Sequence, residues 1–404
     1  MVNVGFIIRI SKEWMGGLNY FKNLFLAVSR IEKREIMPIV FIGRSEIFKE
    51  TEQALSEVSK IIKSTLFDKN SFITNLCDSW LKTFKNDGLR GLLLFLLLKK
   101  YSVKIISHSG YPDGIHVIKK FFPGKFKLIN WIPDFQHLHI PEMFNENDIA
   151  GRNTINKFLI KESDIMILSS YDALNDYKNF APEYEKKARV LQFVSSPDKS
   201  IFYLAQNDFD RIREKYSLPA VFFYIPNQFW KHKNHLFVFR VINELKSEGL
   251  QIILVCTGYL DDHRNLNHIK DLREYIAENH LEKNIIILGP VDYNEVMILM
   301  VFSKAIINPS LFEGWSTTVE ESKSLGKKIL LSDIPVHREQ NPEKGIYFDP
   351  LEPSQLKNIL KNELKLNEPP LDIEQMNLIK LKLDKKFEEF GVKYQNIVLD
   401  LLKA

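Results

Sequence analysis

The sequence predicts an α/β protein built from two doubly wound parallel-sheet domains. Its 404 residues exceed one ordinary core and suffice for two of about 200 each. Short apolar runs alternate with helix-length amphipathic segments, the pattern of parallel βαβ units. The rhythm restarts midway, after SSPDKS at 195–200.

In the first half, residues 2–10 form a continuous apolar run, followed by a loop ending in Gly16-Gly17 and the helical pattern LNYFKNLFLAVSR. Further strands are expected at 37–42, 104–107, 126–131, 164–168 and 189–194, and the pattern is weakest over 45–100. In the second half, strands are expected at 220–225, 251–256, 284–288, 304–308 and 328–331. Helices fill the gaps at 235–248, 264–279, 294–301 and 316–325. Residues 374–402 read as a terminal helix with no strand after it. The expected division is therefore 1–195, 196–375, and a helix at 376–404 that braces back toward the first domain.

Composition narrows the class. Hydrophobic residues make up 45% and charged residues 26%, ordinary for a soluble globular chain. Cys77 and Cys256 are too few and too far apart for a disulfide framework or a thiolate metal site. The N-terminus lacks the basic start and cleavage site of a signal peptide, and no apolar stretch approaches the roughly 20 residues of a membrane span. A cytoplasmic setting is expected.

The net charge of +4 is uneven: residues 1–200 hold 29 Lys and Arg against 22 acids, the remainder 26 against 29. Residues 82–127 hold ten Lys or Arg and only Asp87 and Asp113 as acids, together with LRGLLLFLLLKK and KKFFPGKFK. Cations flanking bulky apolar side chains suit the surface of an anionic membrane; a buried helix with solvated ends explains LLLFLLL equally well. No nucleic-acid motif accompanies the charge.

Doubly wound sheets bind ligands outside the carboxyl ends of their strands, so two facing sheets would form a cleft lined by these loops. The most informative loop is AIINPSLFEGWSTTVEESKSLGKKILLSDIP. A strand ends at Asn308, a turn follows at Pro309-Ser310, and a helix begins near Ser316 or Thr317. The first N–H groups of that helix lack intrahelical acceptors and can receive phosphate oxygens. The hydroxyls of Ser316, Thr317 and Thr318 stand beside them; helix capping alone would explain one of the three. Glu313 before the helix can accept hydrogen bonds from sugar hydroxyls, and Glu321 on its second turn from ribose hydroxyls. Upstream, IPNQFWKHKNH places Lys231 and Lys233 after a strand, where they could neutralise a departing diphosphate.

These residues carry a resemblance. NPSLFEGWSTTVEESKSLGKKILLSDIPVHRE resembles the E-x7-E segment of family 4 retaining glycosyltransferases, which have the GT-B fold and the "group 1" type of donor domain. Glu313 and Glu321 match its two glutamates and Gly326 its following glycine. The resemblance implies that Glu313 contacts the donor sugar, Glu321 the ribose, and Gly314, Trp315, Ser316, Thr317, Thr318 and Val319 the diphosphate region. Lys233 matches the lysine of the family's G-R-x-x-x-x-K-G pattern, while Gln228 stands where its arginine is usual. RISKEWMGGLNYF resembles the glycine-rich loop, with Gly16 and Gly17 close to the diphosphate and acceptor. NWIPDFQHLHIPEMF resembles the "HD" loop facing the reacting centre: Pro133 replaces the histidine, Asp134 is retained and His137 follows.

The function so implied is retaining transfer of a hexose from a nucleoside-diphosphate sugar to a glycan acceptor. The first domain would bind acceptor and the second donor, with no metal or other cofactor. Glu313, Lys233, Asp134 and His137 are the expected catalytic group. The acceptor is expected to be lipid-linked, in bacterial surface polysaccharide (LPS, O-antigen or capsule) synthesis, with the protein peripheral to the inner face of the cytoplasmic membrane. A nucleotide-sugar epimerase of the same fold and a non-catalytic sugar-nucleotide-binding partner are the alternatives. Asp208-Phe209-Asp210 matches a D-x-D metal motif but falls in a polar helical segment, and His232 with His235 lacks a third zinc ligand. No G-x-S-x-G, P-loop or G-x-G-x-x-G pattern is present.

Overall fold

A computed structural model describes residues 1–9, 15–204, 206–262, 264–366 and 373–403. It divides into two compact units. The first comprises Met1–Asp134, Gly151–Val194 and Lys385–Ala404; the second comprises Phe135–Ala150 and Ser195–Asp384. Residues 135–150, read from sequence as part of the first domain, therefore cluster with the second unit.

The first unit holds a parallel sheet of β1 (Val2–Ile7), β2 (Ile36–Ile42), β3 (Lys60–Lys63), β4 (Val103–Ser107), β5 (Lys127–Ile132), β6 (Ile165–Leu168) and β7 (Ala188–Val190), in the order β3-β2-β1-β4-β5-β6-β7. The second holds β8 (Phe223–Ile225), β9 (Leu254–Thr257), β10 (Ile285–Gly289), β11 (Ile306–Asn308), β12 (Ile329–Ser332) and β13 (Gly345–Phe348), in the order β10-β9-β8-β11-β12-β13. Both sheets are doubly wound. The order reverses between β1 and β4 in one and between β8 and β11 in the other, which marks the carboxyl ends of those pairs as binding positions.

Two strands escaped the sequence pattern, β3 and β13. Both are four-residue edge strands, KIIK and GIYF, only partly covered, so their apolar signal is diluted by polar or half-exposed positions. The run at 189–194 is strand only to Val190, although the Leu191 N–H still donates to Leu168 O at 2.9 Å. The run at 2–10 is strand to Ile7, and residue 10 lies outside the described residues. The helix expected from 264 starts instead at His268, because Asp262 holds the preceding loop by accepting from the backbone N–H and the guanidinium of Arg264. Asp208 and Asp210 lie on the helix Gln206–Tyr216, as the polar pattern there implied.

The LLLFLLL segment lies in the helix Gly88–Lys100. Leu94 and Leu98 enter the core beneath the sheet, while Leu92 and Leu96 stay exposed. Cys77 and Cys256 are buried free thiols, and no described helix is long and apolar enough to cross a membrane.

The C-terminal helix Ile373–Lys403 joins the first unit through its second half. Tyr394 donates to Ser107 Oγ at 2.9 Å, and the Gln395 amide accepts from Glu35 N at 2.8 Å and donates to Lys33 O at 3.1 Å. At Gly391 the helix approaches the backbone of helix Met15–Ser29 so closely that a Cβ would lie 2.5 Å from Ala27 O. Gly391→Ala is therefore expected to lower stability by roughly 1–3 kcal/mol through overpacking, read as a lower urea midpoint at unchanged slope; an unchanged midpoint would show that the helix pair yields freely.

Candidate active site

β8 and β11 are neighbours at the reversal of the second sheet; β11 ends in Asn308, and Asn227 stands two residues beyond the end of β8. Asn227 Nδ2 donates to Asn308 Oδ1 at 3.2 Å, and both residues are buried. Asn308 Nδ2 donates to Ser316 Oγ at 2.9 Å, and the Thr318 hydroxyl donates to Asn227 Oδ1 at 2.8 Å. The two strand ends are thus tied to each other and to the start of the helix Thr317–Ser324. Gly258, after β9, has φ +137° and lies so close to this loop that a Cβ would sit 2.5 Å from Asn227 O. Only glycine fits there.

Ser316 caps the helix, its Oγ accepting from Val319 N at 3.4 Å. Gln340 grips the same residue through both of its amide atoms. Its Oε1 accepts from Ser316 N at 3.2 Å, while its Nε2 donates to Ser316 O at 2.9 Å and to Glu320 Oε1 at 3.0 Å. Among the described residues no acceptor meets the N–H groups of Thr317 and Thr318. These two donors, on the positive end of the helix dipole, can receive the oxygens of an anion. Of the three hydroxyls noted in the sequence, those of Ser316 and Thr318 are committed to structural bonds. Thr317 is half-buried, and Val319 packs into the core.

Glu313 is 9% exposed, and its Oε1 accepts from Lys233 Nζ at 2.6 Å. The Ser310 hydroxyl lies 2.7 Å from the same oxygen and 2.8 Å from Asn308 Oδ1. Burial pushes the Glu313 pKa up, but Lys233, His337 and Ser310 outweigh it and hold the carboxyl below the usual glutamate range. Lys233 is delivered by the short turn Lys231–Lys233 after β8, and the Leu311 N–H donates to His232 O at 2.8 Å, which pins that turn against the Glu313 loop. His337 is buried: burial drives its pKa down, Nδ1 donates to Ser332 O at 2.8 Å, and Nε2 lies 3.4 Å from Asn308 Nδ2.

Glu321 has the opposite electrostatics. It is buried, its Oε1 accepts from the Tyr293 hydroxyl at 3.0 Å, and burial pushes its pKa up to about 7. Gly314 and Trp315 are half-buried beside the helix start, with the Lys323 ammonium 5.9 Å from the Trp315 ring centroid. Gln228 is half-buried in the loop after β8, against Gly258; Lys231 is exposed, its backbone N–H donating to Asp262 Oδ2 at 3.0 Å.

The segment 135–150 also builds on this unit. Arg264 donates to Gln136 Oε1 at 3.1 Å and lies over the rings of Phe144 and Trp230, and the His139 ring sits 5.0 Å from Phe312, next to Glu313. His137 is in the short helix Gln136–His139, 1% exposed. Asp134, half-buried, ends the preceding stretch of the first unit. His232 and His235 are buried among aromatic rings, His235 stacked 4.3 Å from Phe229. Among the described residues no group of three His, Cys, Asp or Glu side chains is placed to hold a metal ion.

In the first unit, a pocket of about 290 Å³ opens at the reversal between β1 and β4, lined in part by Arg9, His108, Ser109, Tyr111, Asp113 and Trp131. His108 holds a left-handed backbone at φ +52°, and its buried ring is fixed by Tyr20 OH at 2.8 Å and Ser107 Oγ at 2.7 Å. A non-glycine residue in that conformation is strained, a recurrent property of functional positions. Pro133 lines the same pocket. Gly16 and Gly17 fall in the first turn of helix Met15–Ser29 rather than in a loop, because the helical pattern begins earlier than LNYF; residues 10–14 of that expected loop lie outside the described residues.

Residues 206–377 match the family model described as Glycosyl transferases group 1. That stretch, in the second unit, is similar to the group 1 glycosyltransferases. The chain is 26% identical over 170 residues to the O-antigen chain mannosyltransferase RfbU of Salmonella typhimurium, 42% of this chain and 45% of that protein, so the match spans under half of that relative. It is 25% identical over 322 residues to the O-antigen biosynthesis glycosyltransferase WclY of Escherichia coli, covering 76% of this chain and 82% of that one. Among solved structures, HepE of Anabaena in complex with UDP and glucose superposes with a TM-score of 0.67 at 12% identity over the whole of both chains. The lipopolysaccharide outer core galactosyltransferase WaaB does so with a TM-score of 0.59 at 16% identity over 99% of each. At such identities these structures establish the GT-B fold, in agreement with the two doubly wound sheets.

Sequence reading paired Glu313 with Lys233 by motif, and the structure brings them into contact. It did not find Asn227, Asn308, Ser310, His337 or Gln340. The available signal was an asparagine at or just after the end of each central strand, in IPN and IIN.

Two predictions follow from the opposed acids. Lys233→Met strands the buried Glu313 carboxylate and should cost roughly 3–5 kcal/mol in urea unfolding, with much of it recovered in the Lys233→Met/Glu313→Leu double variant; a Lys233→Met cost equal in the Glu313→Leu background would refute the pairing. For Glu321 the folded pKa of about 7 exceeds the ordinary 4.5, so the folded state holds a proton that the unfolded chain releases. Stability should therefore fall as pH rises between those values. Glu321→Gln should gain up to roughly 3 kcal/mol on wild type across that window, seen as diverging melting temperatures; parallel curves would contradict it.

Proposed function

We propose that this chain transfers a hexose from a nucleoside-diphosphate sugar to a glycan acceptor, with retention at the anomeric carbon. The carrying observation is the buried Lys233–Glu313 pair beside the open N–H groups of Thr317 and Thr318. An anion grip and a fixed, ionised carboxylate stand side by side, as a diphosphate and its attached sugar require.

In this reading the diphosphate oxygens receive the N–H groups of Thr317 and Thr318. The helix dipole, Lys231 and Lys233 stabilise the charge that grows as the diphosphate leaves. Preorganised donors of this kind do what a divalent cation does elsewhere, so no metal is invoked. Glu313, kept ionised by Lys233, accepts from the sugar hydroxyls and fixes the ring. Glu321, poised near neutrality and beside Tyr293, accepts from the ribose. Attack comes from the face the diphosphate leaves, with no covalent nucleophile on the protein. The acceptor occupies the pocket of the first unit over Trp131 and His108, with Asp134 of that unit as a polar group; His137 is a polar group carried by the segment 135–150 of the second unit. The O-antigen roles of RfbU and WclY and the lipopolysaccharide role of WaaB support a bacterial surface polysaccharide as acceptor; in this reading it is built on a lipid carrier at the inner face of the cytoplasmic membrane. The UDP and glucose of HepE support the donor class.

Glu313→Gln preserves shape but removes the charge, and should lower kcat by about a hundredfold or more while the melting curve stays cooperative; undiminished turnover would sink the assignment. Screening UDP, GDP, ADP and TDP by thermal shift should show one stabilising diphosphate, worth about 2.7 kcal/mol at a hundredfold excess over its Kd. Chelation with EDTA should leave turnover unchanged, and a loss restored by a divalent cation would replace the helix-and-lysine account.

A further inference from the structure

Three consecutive helices, Phe72–Phe84, Gly88–Lys100 and Ile115–Phe121, pack side by side in the first unit and cover one face of its sheet. The first has an apolar arc wider than its buried side. Thr74 and Cys77 turn inward, yet Phe72, Leu76, Trp80 and Phe84, spaced four residues apart and so on one side of the helix, are 83%, 49%, 39% and 56% exposed. Trp80 and Phe84 lean on each other at 4.4 Å between ring centroids rather than on the core. Leu92 and Leu96, also four apart on the next helix, and Phe121 at the end of the third extend the exposed apolar area. Scattered exposed leucines need no explanation; a stripe of this size in one helical layer does.

The surrounding charge is positive. Lys82, Lys85, Lys99, Lys100, Lys120 and Lys125 are exposed, and none has a carboxylate within ion-pair distance among the described residues. The neighbouring acids face arginines: Arg90 bonds Asp78 at 2.5 Å and Asp113 at 3.0 Å and has Asp87 close enough to raise its pKa, and Arg9 lies 3.5 Å from Asp113. Apolar and aromatic side chains ringed by lysines match the interfacial zone of an anionic bilayer, where rings enter the acyl boundary and ammonium groups meet phosphates. A second copy of the chain would oppose lysine to lysine.

We propose that the stripe Phe72–Leu76–Trp80–Phe84, with its lysine border, is a docking surface for anionic phospholipid membranes. It is independent of the donor site: vesicle binding needs neither donor nor catalysis, so its failure would leave the transferase reading untouched.

The test uses the full chain with vesicles of phosphatidylcholine alone or mixed with phosphatidylglycerol. Wild type should sediment with the anionic vesicles at least tenfold more strongly than with the neutral ones and be released by high salt. Brominated acyl chains should quench part of its tryptophan emission, and Trp80→Phe should remove that part. The triple variant Leu76→Ser/Trp80→Ser/Phe84→Ser should lose binding by at least tenfold, as should Lys82→Glu/Lys85→Glu, which leaves the apolar stripe intact and guards against misfolding of the first. Both should keep the wild-type thermal shift with nucleotide. Equal partition to both vesicle types, or undiminished binding by both variants, would overturn the proposal. So would a wild-type dimer in lipid-free solution that the triple variant dissolves, because the stripe would then be a self-association face.

Discussion

A carboxylate taken out of water must keep a counter-charge or give up its ionisation, and this constraint organises the second unit. Glu313 is buried and nevertheless ionised because Lys233 reaches it at 2.6 Å, and the two belong to loops that follow β8 and β11. For the pair to form, those loops must meet where the sheet order reverses. The Asn227–Asn308 bond, the Leu311-to-His232 bond and the close approach at Gly258 all serve that meeting. The same loop then turns into the helix whose first N–H groups stand open. One ion pair therefore sets both the position of the carboxylate and the direction of the helix start.

The two glutamates of the segment are chemically unlike although only eight residues apart. Glu313 has a lysine, a hydroxyl and a nearby histidine to hold its charge; Glu321 has a tyrosine hydroxyl and a dry surround. Environments that push like groups apart assign them different work. Glu313 is a permanent charge fixed in place. Glu321 changes protonation near neutrality, so its strength as a hydrogen-bond acceptor varies with pH.

The first unit repeats the logic at its own reversal with neutral groups. Its pocket floor rests on His108, a buried imidazole that burial drives to a pKa of about 3, held in a left-handed turn by Tyr20 and Ser107. Ser107 is in turn reached by Tyr394 from the terminal helix. The C-terminus is thereby part of the support of a binding position over 280 residues upstream in sequence. This unit therefore carries a pocket with a neutral floor, while the second unit carries a buried ion pair and an open helix start.

Periodicity alone determined the two doubly wound sheets, since central strands are buried on both faces and read as unbroken apolar runs; only the short edge strands β3 and β13 were lost. The glutamate pair and Lys233 were legible through the resemblance of their two segments to the family's E-x7-E and G-R-x-x-x-x-K-G patterns, each of which lies within one local stretch of sequence. The Asn308, His337 and Gln340 network was not, because those residues meet across turns that no local pattern measures. Nor could sequence tell which hydroxyl at the helix start was already committed, that Glu313 would stay charged while Glu321 would not, or that the apolar stripe beginning at Phe72 would lie uncovered. Charge state and exposure are properties of the surroundings, and the surroundings exist only once distant segments have packed.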